Sequence, residues 1–210
     1  MSPHDSHPGQ LVLCVDMGGV FFTYSFLSAL AAWADAAHVD AGRLRERWQI
    51  DEPFDAFERG EITPADYLGH LRQRLGLHRL SDEEITAGWN AIYGTVDTGL
   101  VQLLGRADVR ARFHHIVGVS NTNTLHAGFW RELYREELPV LDTVHCSHEI
   151  GATKPNSAFF DHVAAEHGVA RTQLVLVDDI AEVTTAAAGL GLRAHHYRGA
   201  ADLAAYLDSL

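Results

Sequence analysis

Residues 11–15, Leu-Val-Leu-Cys-Val, form an unbroken apolar run that ends in a lone carboxylate, Asp16, and then a Met17-Gly18-Gly19 turn. A short apolar run bounded by a polar tail and a glycine pair predicts a strand buried on both faces. Strands of that kind belong to open parallel sheets, whose ligands bind beyond the carboxyl ends of the strands. Gly18 and Gly19 lack a Cβ, so the chain can bend sharply there and leave the Asp16 side chain free. Asp followed by Gly is also ordinary turn chemistry. What distinguishes Asp16 is the set of residues that the rest of the chain brings to the same edge.

After Val20 the pattern turns helical. Tyr24 to Ala37 is rich in Ala and Leu, and Asp40 is an N-cap candidate for a helix reaching Trp48. Around Phe54 to Pro64, Gly60 suits a helix C′ position, Thr63 an N-cap and Pro64 the first position of a helix running to about Leu75. Ser81 and Glu84 have capping-box spacing and open a helix to about Tyr93. No convincing strand interrupts this stretch. Val96 to Leu104 reads as helical. Strands are then expected at His115 to Ser120, Thr143 to Ser147, Leu174 to Val177 and Arg193 to Tyr197. Helices are expected at Ser157 to His167, Ala186 to Leu190 and Ala201 to Leu207. The alternation predicts an α/β fold, a doubly wound parallel sheet with right-handed crossovers, carrying a small all-helical cap domain. In this division residues 11–20 and 96–210 form the core, residues 21–95 the cap, and residues 1–10 a frayed tail.

Charge and cysteine content narrow the function. The net charge of −12, from 16 basic and 28 acidic residues, argues against nucleic acid or an anionic membrane as partner. An anionic substrate must then be attracted locally, by a metal or a few cations. Cys14 and Cys146 form no disulfide framework, there is no long apolar span, and Met1 to Gln10 is no signal peptide, so the expected location is cytoplasmic. The histidines show no HExxH spacing, and His4 and His7 in the tail are not expected to bind metal.

Three strands end in chemistry-bearing residues: Asp16, then Ser120-Asn121, then Asp178-Asp179; Lys154 sits in a loop just before a helix. A carboxylate nucleophile, a hydroxyl, an ammonium and two further carboxylates are what phosphoryl transfer through an aspartyl-phosphate requires. Asp16 and the acidic pair can hold Mg²⁺, a hard cation that takes oxygen ligands. Ser120 and the amides near Asn121 can donate to phosphate oxygens, and Lys154 can bind them as a point charge.

The segments LCVDMGGV, VGVSNTN, GATKP and LVLVDD resemble, in order and spacing, the four motifs of the haloacid dehalogenase (HAD) superfamily. FERGEIT and SNTNTLHAGFW look most similar to the bacterial α-D-glucose-1-phosphate phosphatase type. The resemblance implies a helical cap after the first motif and a small-molecule phosphate ester as substrate. It implies Asp16 as nucleophile and metal ligand, Ser120 and Lys154 as phosphate ligands, and Asp179 as the main acidic metal ligand. Asp178 would lie beside it, with the Gly18 carbonyl completing the protein's share of Mg²⁺ coordination. Two positions depart from the common pattern. Gly18 stands where most phosphatases of the superfamily carry a second Asp as acid and base, although the resembled type also has Gly there. Ile180 and Val183 stand where polar residues often follow the acidic pair. The alternatives are 2-haloacid dehalogenation and a catalytically weak phospho-ligand binder. His126 and Trp130 are candidates to line a substrate pocket, as are Phe21, Phe22 and Tyr24, while Trp33, Trp48 and Trp89 are expected in the cap core.

Overall fold

The computed structural model describes residues 10–210, so the expected tail, with His4 and His7, lies outside the described residues apart from Gln10. In chain order, β1 (Leu11–Asp16) and β2 (Phe22–Tyr24) precede five helices, α1 (Phe26–Ala37), α2 (Ala41–Arg47), α3 (Glu52–Glu58), α4 (Pro64–Leu75) and α5 (Asp82–Asn90). After β3 (Tyr93–Val96) come α6 (Thr98–Gly105), α7 (Ala107–Arg110), β4 (Phe113–Ser120), α8 (Thr124–Leu133), β5 (Thr143–Cys146) and α9 (Ser147–Ile150). The chain closes with α10 (Ser157–Glu166), β6 (Leu174–Asp178), α11 (Ala181–Gly189), β7 (Arg193–His196) and α12 (Ala200–Asp208).

The main sheet is five-stranded and parallel, ordered β5-β4-β1-β6-β7, with the apolar run of β1 in the middle. Because side chains alternate along a strand, β1 feeds two cores. Leu13 and Val15 join Ile116, Val175 and Val177 on one face, under α6, α8 and α12. Val12 and Cys14 join Val117, Val119, Leu174 and Leu176 on the other, under α10 and α11. This is the doubly wound arrangement, and it explains why β1 and β6 are apolar runs rather than alternating ones. Cys14 and Cys146 are both buried and unpaired, and burial pushes each thiol up to about 12.

Helices α1 to α5 bury a separate apolar cluster of their own, built on Trp33, Phe57, Tyr67, Leu71 and Trp89, with Trp48 packed against it. Their ends follow the local signals. Asp40, Thr63 and Ser81 each accept a backbone N–H as N-caps, the last two as full capping boxes, and Asp51 does the same for α3. Each such cap is worth ~1 kcal/mol.

Two features differ from the sequence expectation. The stretch between the core segments is not purely helical: β2 and β3 pair antiparallel where the chain leaves and re-enters the core. Both are three- or four-residue segments, too short for a period-two pattern, so Tyr93–Val96 is absorbed into the flanking helical readings. Helix α11 starts at Ala181 rather than Ala186, since its N-cap position is Ile180, which makes no side-chain cap. Among the described residues no helix is long and apolar enough to cross a membrane.

Candidate active site

Parallel register brings the strand ends level. Asp16 pairs with Val119, one residue before Ser120, and Val15 pairs with Val177, one residue before Asp178. With neighbouring strands ~4.8 Å apart, Asp16, Ser120 and Asp178 therefore stand in a row at the carboxyl edge. Lys154 reaches into this row from the loop before α10. Its Nζ donates to Asp16 Oδ1 at 2.5 Å and to Asp178 Oδ2 at 2.8 Å, and all three side chains are buried. Burial alone would lower the lysine pKa, but Asp16 and Asp178 hold it above its ordinary value. The Asp16 carboxyl is driven upward by burial, while the Lys154 ammonium pulls it back and Asp178 adds to the rise.

The neighbours of this triad have distinct tasks. Asn121 spends its side chain on the Lys154 backbone, with Oδ1 accepting the Lys154 N–H at 2.7 Å and Nδ2 donating to its carbonyl at 2.9 Å. It therefore positions the lysine. The Ser120 hydroxyl has only a 3.5 Å contact to the Asn121 carbonyl, at the limit of a hydrogen bond, so it is available to a ligand. Asp178 Oδ1 accepts the Ile180 N–H at 3.0 Å, which fixes the turn after β6. Asp179 differs from all of these. Its Oδ1 is buried without a hydrogen-bond partner, and burial followed by the Asp178 charge raises its pKa. Gly19, at φ +87, lies so close that a Cβ there would sit 2.2 Å from Asp179 Oδ2. The left-handed backbone and the absent side chain of Gly19 together leave room for this carboxylate.

One oxygen from each of Asp16, Asp178 and Asp179 lies within 4.8 Å of the others, the one such cluster of possible metal ligands among the described residues. An all-oxygen set with an unpartnered buried member fits a hard divalent cation.

The pocket above these residues has a volume of about 300 Å³ and takes walls from both parts of the chain. Gly18, Ser120, Asn121 and Lys154 lie at its base; Phe26, Ile50, Phe54, Asp55 and Glu58 face it from the α1 to α3 region. Phe22, Tyr24 and His126 line it, as expected, and so do Ile180 and Val183. Trp130 and Phe21 do not line it; both are fully buried in the sheet core. His126 donates from Nε2 to the Trp89 carbonyl at 3.0 Å and accepts at Nδ1 from Asn123, stacked on Trp89 at 4.5 Å. Burial lowers its pKa to about 3, so it is neutral. It joins α5 to α8.

Four contributors were not picked out in the sequence. Glu58 and Asp55 reach the pocket from α3; the FERGEIT segment contains Glu58, but nothing in its pattern points the carboxyl inward. Ser147 is buried at the end of β5, where its hydroxyl accepts the Thr122 N–H at 2.8 Å and lies 2.6 Å from the Glu58 carbonyl. His196 donates from Nε2 to the Asp179 carbonyl at 2.9 Å and so supports the acidic turn.

No family model matches the sequence. A HAD family enzyme from Bacteroides thetaiotaomicron, solved in complex with magnesium and inorganic phosphate, superposes with a TM-score of 0.74 at 24% identity, covering 91% of this chain and 96% of that one. The chain has the haloacid dehalogenase fold. The same HAD fold relates it to the L-2-haloacid dehalogenase of Xanthobacter autotrophicus with chloropropionic acid covalently bound, at TM-score 0.61 and 15% identity, over 88% of this chain and 76% of that one. In sequence it is 26% identical over 183 residues to a sesquiterpene phosphatase of Aspergillus oryzae, 86% of each chain. The HAD fold thus serves phosphate in one relative and a haloacid in another, so the choice here must come from the site.

Proposed function

We propose that this chain is a magnesium-dependent phosphomonoester hydrolase of small phosphorylated metabolites, working through an aspartyl-phosphate on Asp16. The observation that carries the reading is the buried Lys154–Asp16–Asp178 triad with the unpartnered Asp179 oxygen beside it. A metal-free halide site has no use for three carboxylates converging within 4.8 Å, which weighs against dehalogenation. Magnesium and phosphate in a relative of the same fold, and phosphatase activity in a sequence relative, add support.

Asp16, Asp178 and Asp179 would hold the cation, with the Gly18 carbonyl. When bound, it offsets the repulsion between Asp16 and an incoming phosphate and stabilises the charge that develops in transfer. Asp16 attacks phosphorus; Lys154 and the Ser120 hydroxyl hold the phosphoryl oxygens; Asn121 and Asp178 keep Lys154 in place. Water then attacks the aspartyl-phosphate and releases phosphate.

Residues 21–95 act in this reading as a cap over residues 11–20 and 96–210. The separate apolar cluster of α1 to α5 and the two-sided pocket support that division. Two unpaired buried thiols and the acidic charge balance favour a cytoplasmic setting. Phosphorylated sugars are the first substrates to test, since Asp55 and Glu58 put two carboxyls within the pocket for hydroxyl groups. An apolar phosphate ester is the second reading, favoured by the Phe22, Phe26, Ile50 and Phe54 walls. A phosphatase screen across sugar, prenyl, aryl and nucleotide phosphates, with and without Mg²⁺, separates the two. Asp16→Asn should abolish turnover with the fold intact; a variant that keeps wild-type kcat refutes covalent catalysis by Asp16.

A further inference from the structure

Breaking the bond to an alkyl leaving group requires a proton for the departing oxygen, and hydrolysis of the acyl phosphate requires a base for water. The groups that face the pocket can be taken one at a time. Asp16 is the attacking group. Lys154 donates to two carboxylates, which hold its proton on Nζ. Asp178 accepts from Lys154 and from Ile180. His126 has both ring nitrogens bonded and stays neutral. Asp55 lines the pocket from α3 but is exposed to solvent, so burial does not hold a proton on it as it does on Glu58. Tyr93 also lines the pocket, but burial holds its phenol well above the ordinary value. Two groups remain, Tyr24 and Glu58.

The Tyr24 ring covers Gly18, where an added Cβ would meet its Cε1 at 3.1 Å. Burial, then Asp179 and Asp16, raise the phenol above its ordinary value, so it would be slow to give up a proton at neutral pH. Glu58 is built differently. It ends α3 half-buried on the pocket wall, and among the described residues its carboxyl has neither an ion pair nor a hydrogen bond. Its backbone is tied to the start of α9, just beyond β5. The Glu58 carbonyl lies 2.6 Å from the Ser147 hydroxyl, which also takes the Thr122 N–H, two residues beyond Ser120. Gly60, at φ +70, lets the chain pass so close to α9 that a Cβ would sit 2.3 Å from the His148 carbonyl oxygen. A cap residue is thereby placed in fixed relation to the proposed phosphate loop.

We propose that Glu58 is the general acid and then the general base of the reaction, a role that rests on the phosphatase reading above. Burial raises its pKa to about 8, with Asp55 and Asp16 adding and Lys154 opposing. The other ionisable groups that feel its charge are Tyr24 on β2, Tyr67 on α4 and Tyr93 on β3. Neutral near pH 7, Glu58 can donate first. Asp16 forms a bond to phosphorus as the phosphorus–oxygen bond to the leaving group breaks, and the Glu58 proton passes to that oxygen, releasing the alcohol. Water next attacks phosphorus, its proton goes to the Glu58 carboxylate, the bond to Asp16 breaks and Asp16 returns as carboxylate. The sum is ester plus water to alcohol plus phosphate, with Glu58 restored.

The test compares Glu58→Gln with wild type, both with Mg²⁺, on p-nitrophenyl phosphate and on an alkyl phosphate. Gln keeps the shape and cannot transfer the proton. The expected result is a loss of ~10²–10⁴-fold in kcat/KM on the alkyl ester, with kcat/KM on the aryl ester within about tenfold of wild type. Because the base is also lost, kcat on the aryl ester should fall and a burst of about one p-nitrophenol per site should appear. Equal losses on both esters, or no loss on either, with an unchanged unfolding midpoint, overturn the role of Glu58. The same discriminating pattern in Tyr24→Phe and not in Glu58→Gln also overturns it, in favour of the phenol. If wild type hydrolyses neither ester, or Asp16→Asn retains activity, the phosphatase reading itself falls and the Glu58 role with it.

Discussion

Lys154→Met would remove the one cation from a buried cluster while keeping much of the side-chain stem. Asp16 and Asp178, at 2.5 and 2.8 Å from Nζ, would then face each other as uncompensated charges with side-chain exposures of only 10% and 2%. Removing one partner from a buried ion pair costs ~3–5 kcal/mol, mostly the penalty for the charge left behind. For a chain of this size each kcal/mol shifts Tm by ~2–4 °C, so the metal-free variant should melt ~6–20 °C below wild type. The three carboxylates are still gathered within 4.8 Å, and Mg²⁺ can replace the lost charge. At a hundredfold excess over its Kd a ligand adds ~2.7 kcal/mol to stability. Mg²⁺ should therefore raise the Tm of the variant by more than it raises that of wild type. Differential scanning calorimetry with EDTA and with Mg²⁺ measures both terms. A metal-free loss below about 2 °C would mean the triad is not the buried charge cluster argued here. A variant that Mg²⁺ does not stabilise would show that the three carboxylates hold no cation.

Asp179→Ala should weaken Mg²⁺ binding, read by calorimetric titration, more than Asp178→Ala, because Asp179 has an unpartnered oxygen whereas Asp178 is committed to Lys154; the reverse order would reassign the pair. Gly60→Ala combines a left-handed φ with a 2.3 Å approach to His148, and should cost roughly 1–3 kcal/mol in denaturant unfolding and reduce kcat/KM. The third expectation concerns His126. Its folded pKa of about 3 lies below the ordinary value, so the unfolded chain binds the extra proton and stability falls as pH drops from about 6.5 toward 3. Between pH 7.5 and 5 wild type should lose ~2 kcal/mol more than His126→Gln in urea unfolding; parallel losses would show that His126 is protonated freely in the fold.

The sequence carried the sheet and the base of the site because both are written in local signals. An apolar run ending in a polar residue is legible as a buried strand, and parallel register then does the rest: Asp16, Ser120 and Asp178 become neighbours with no further information. Caps at Asp40, Thr63 and Ser81 announce themselves by residue type. The β2–β3 pair carries no such signal, since three or four residues cannot establish a period. The cap side of the pocket is illegible for another reason. Whether Glu58 faces solvent or the pocket depends on how α3 lies against α9, and that is set by Gly60 and Ser147, far apart in sequence. Asn121 shows the same limit at closer range: its position at a strand end suggests a ligand contact, while its amide is spent on the Lys154 backbone.

Asp179 and Glu58 make the same physical point from opposite sides of the pocket. Each is a carboxyl in a site already crowded with negative charge, and each has its pKa raised chiefly by burial. A fold does not retain such groups for stability, because a buried carboxyl without a partner is a net cost. At Asp179 a divalent cation would remove that cost. At Glu58 a proton removes it, and a proton held on a group near neutrality is what acid catalysis needs. The two residues therefore divide the reaction between them in this reading, charge compensation at the base and proton transfer from the cap. The division also explains why Gly18 can lack a side chain: the space above it is taken by Tyr24, and the acid arrives from α3 instead.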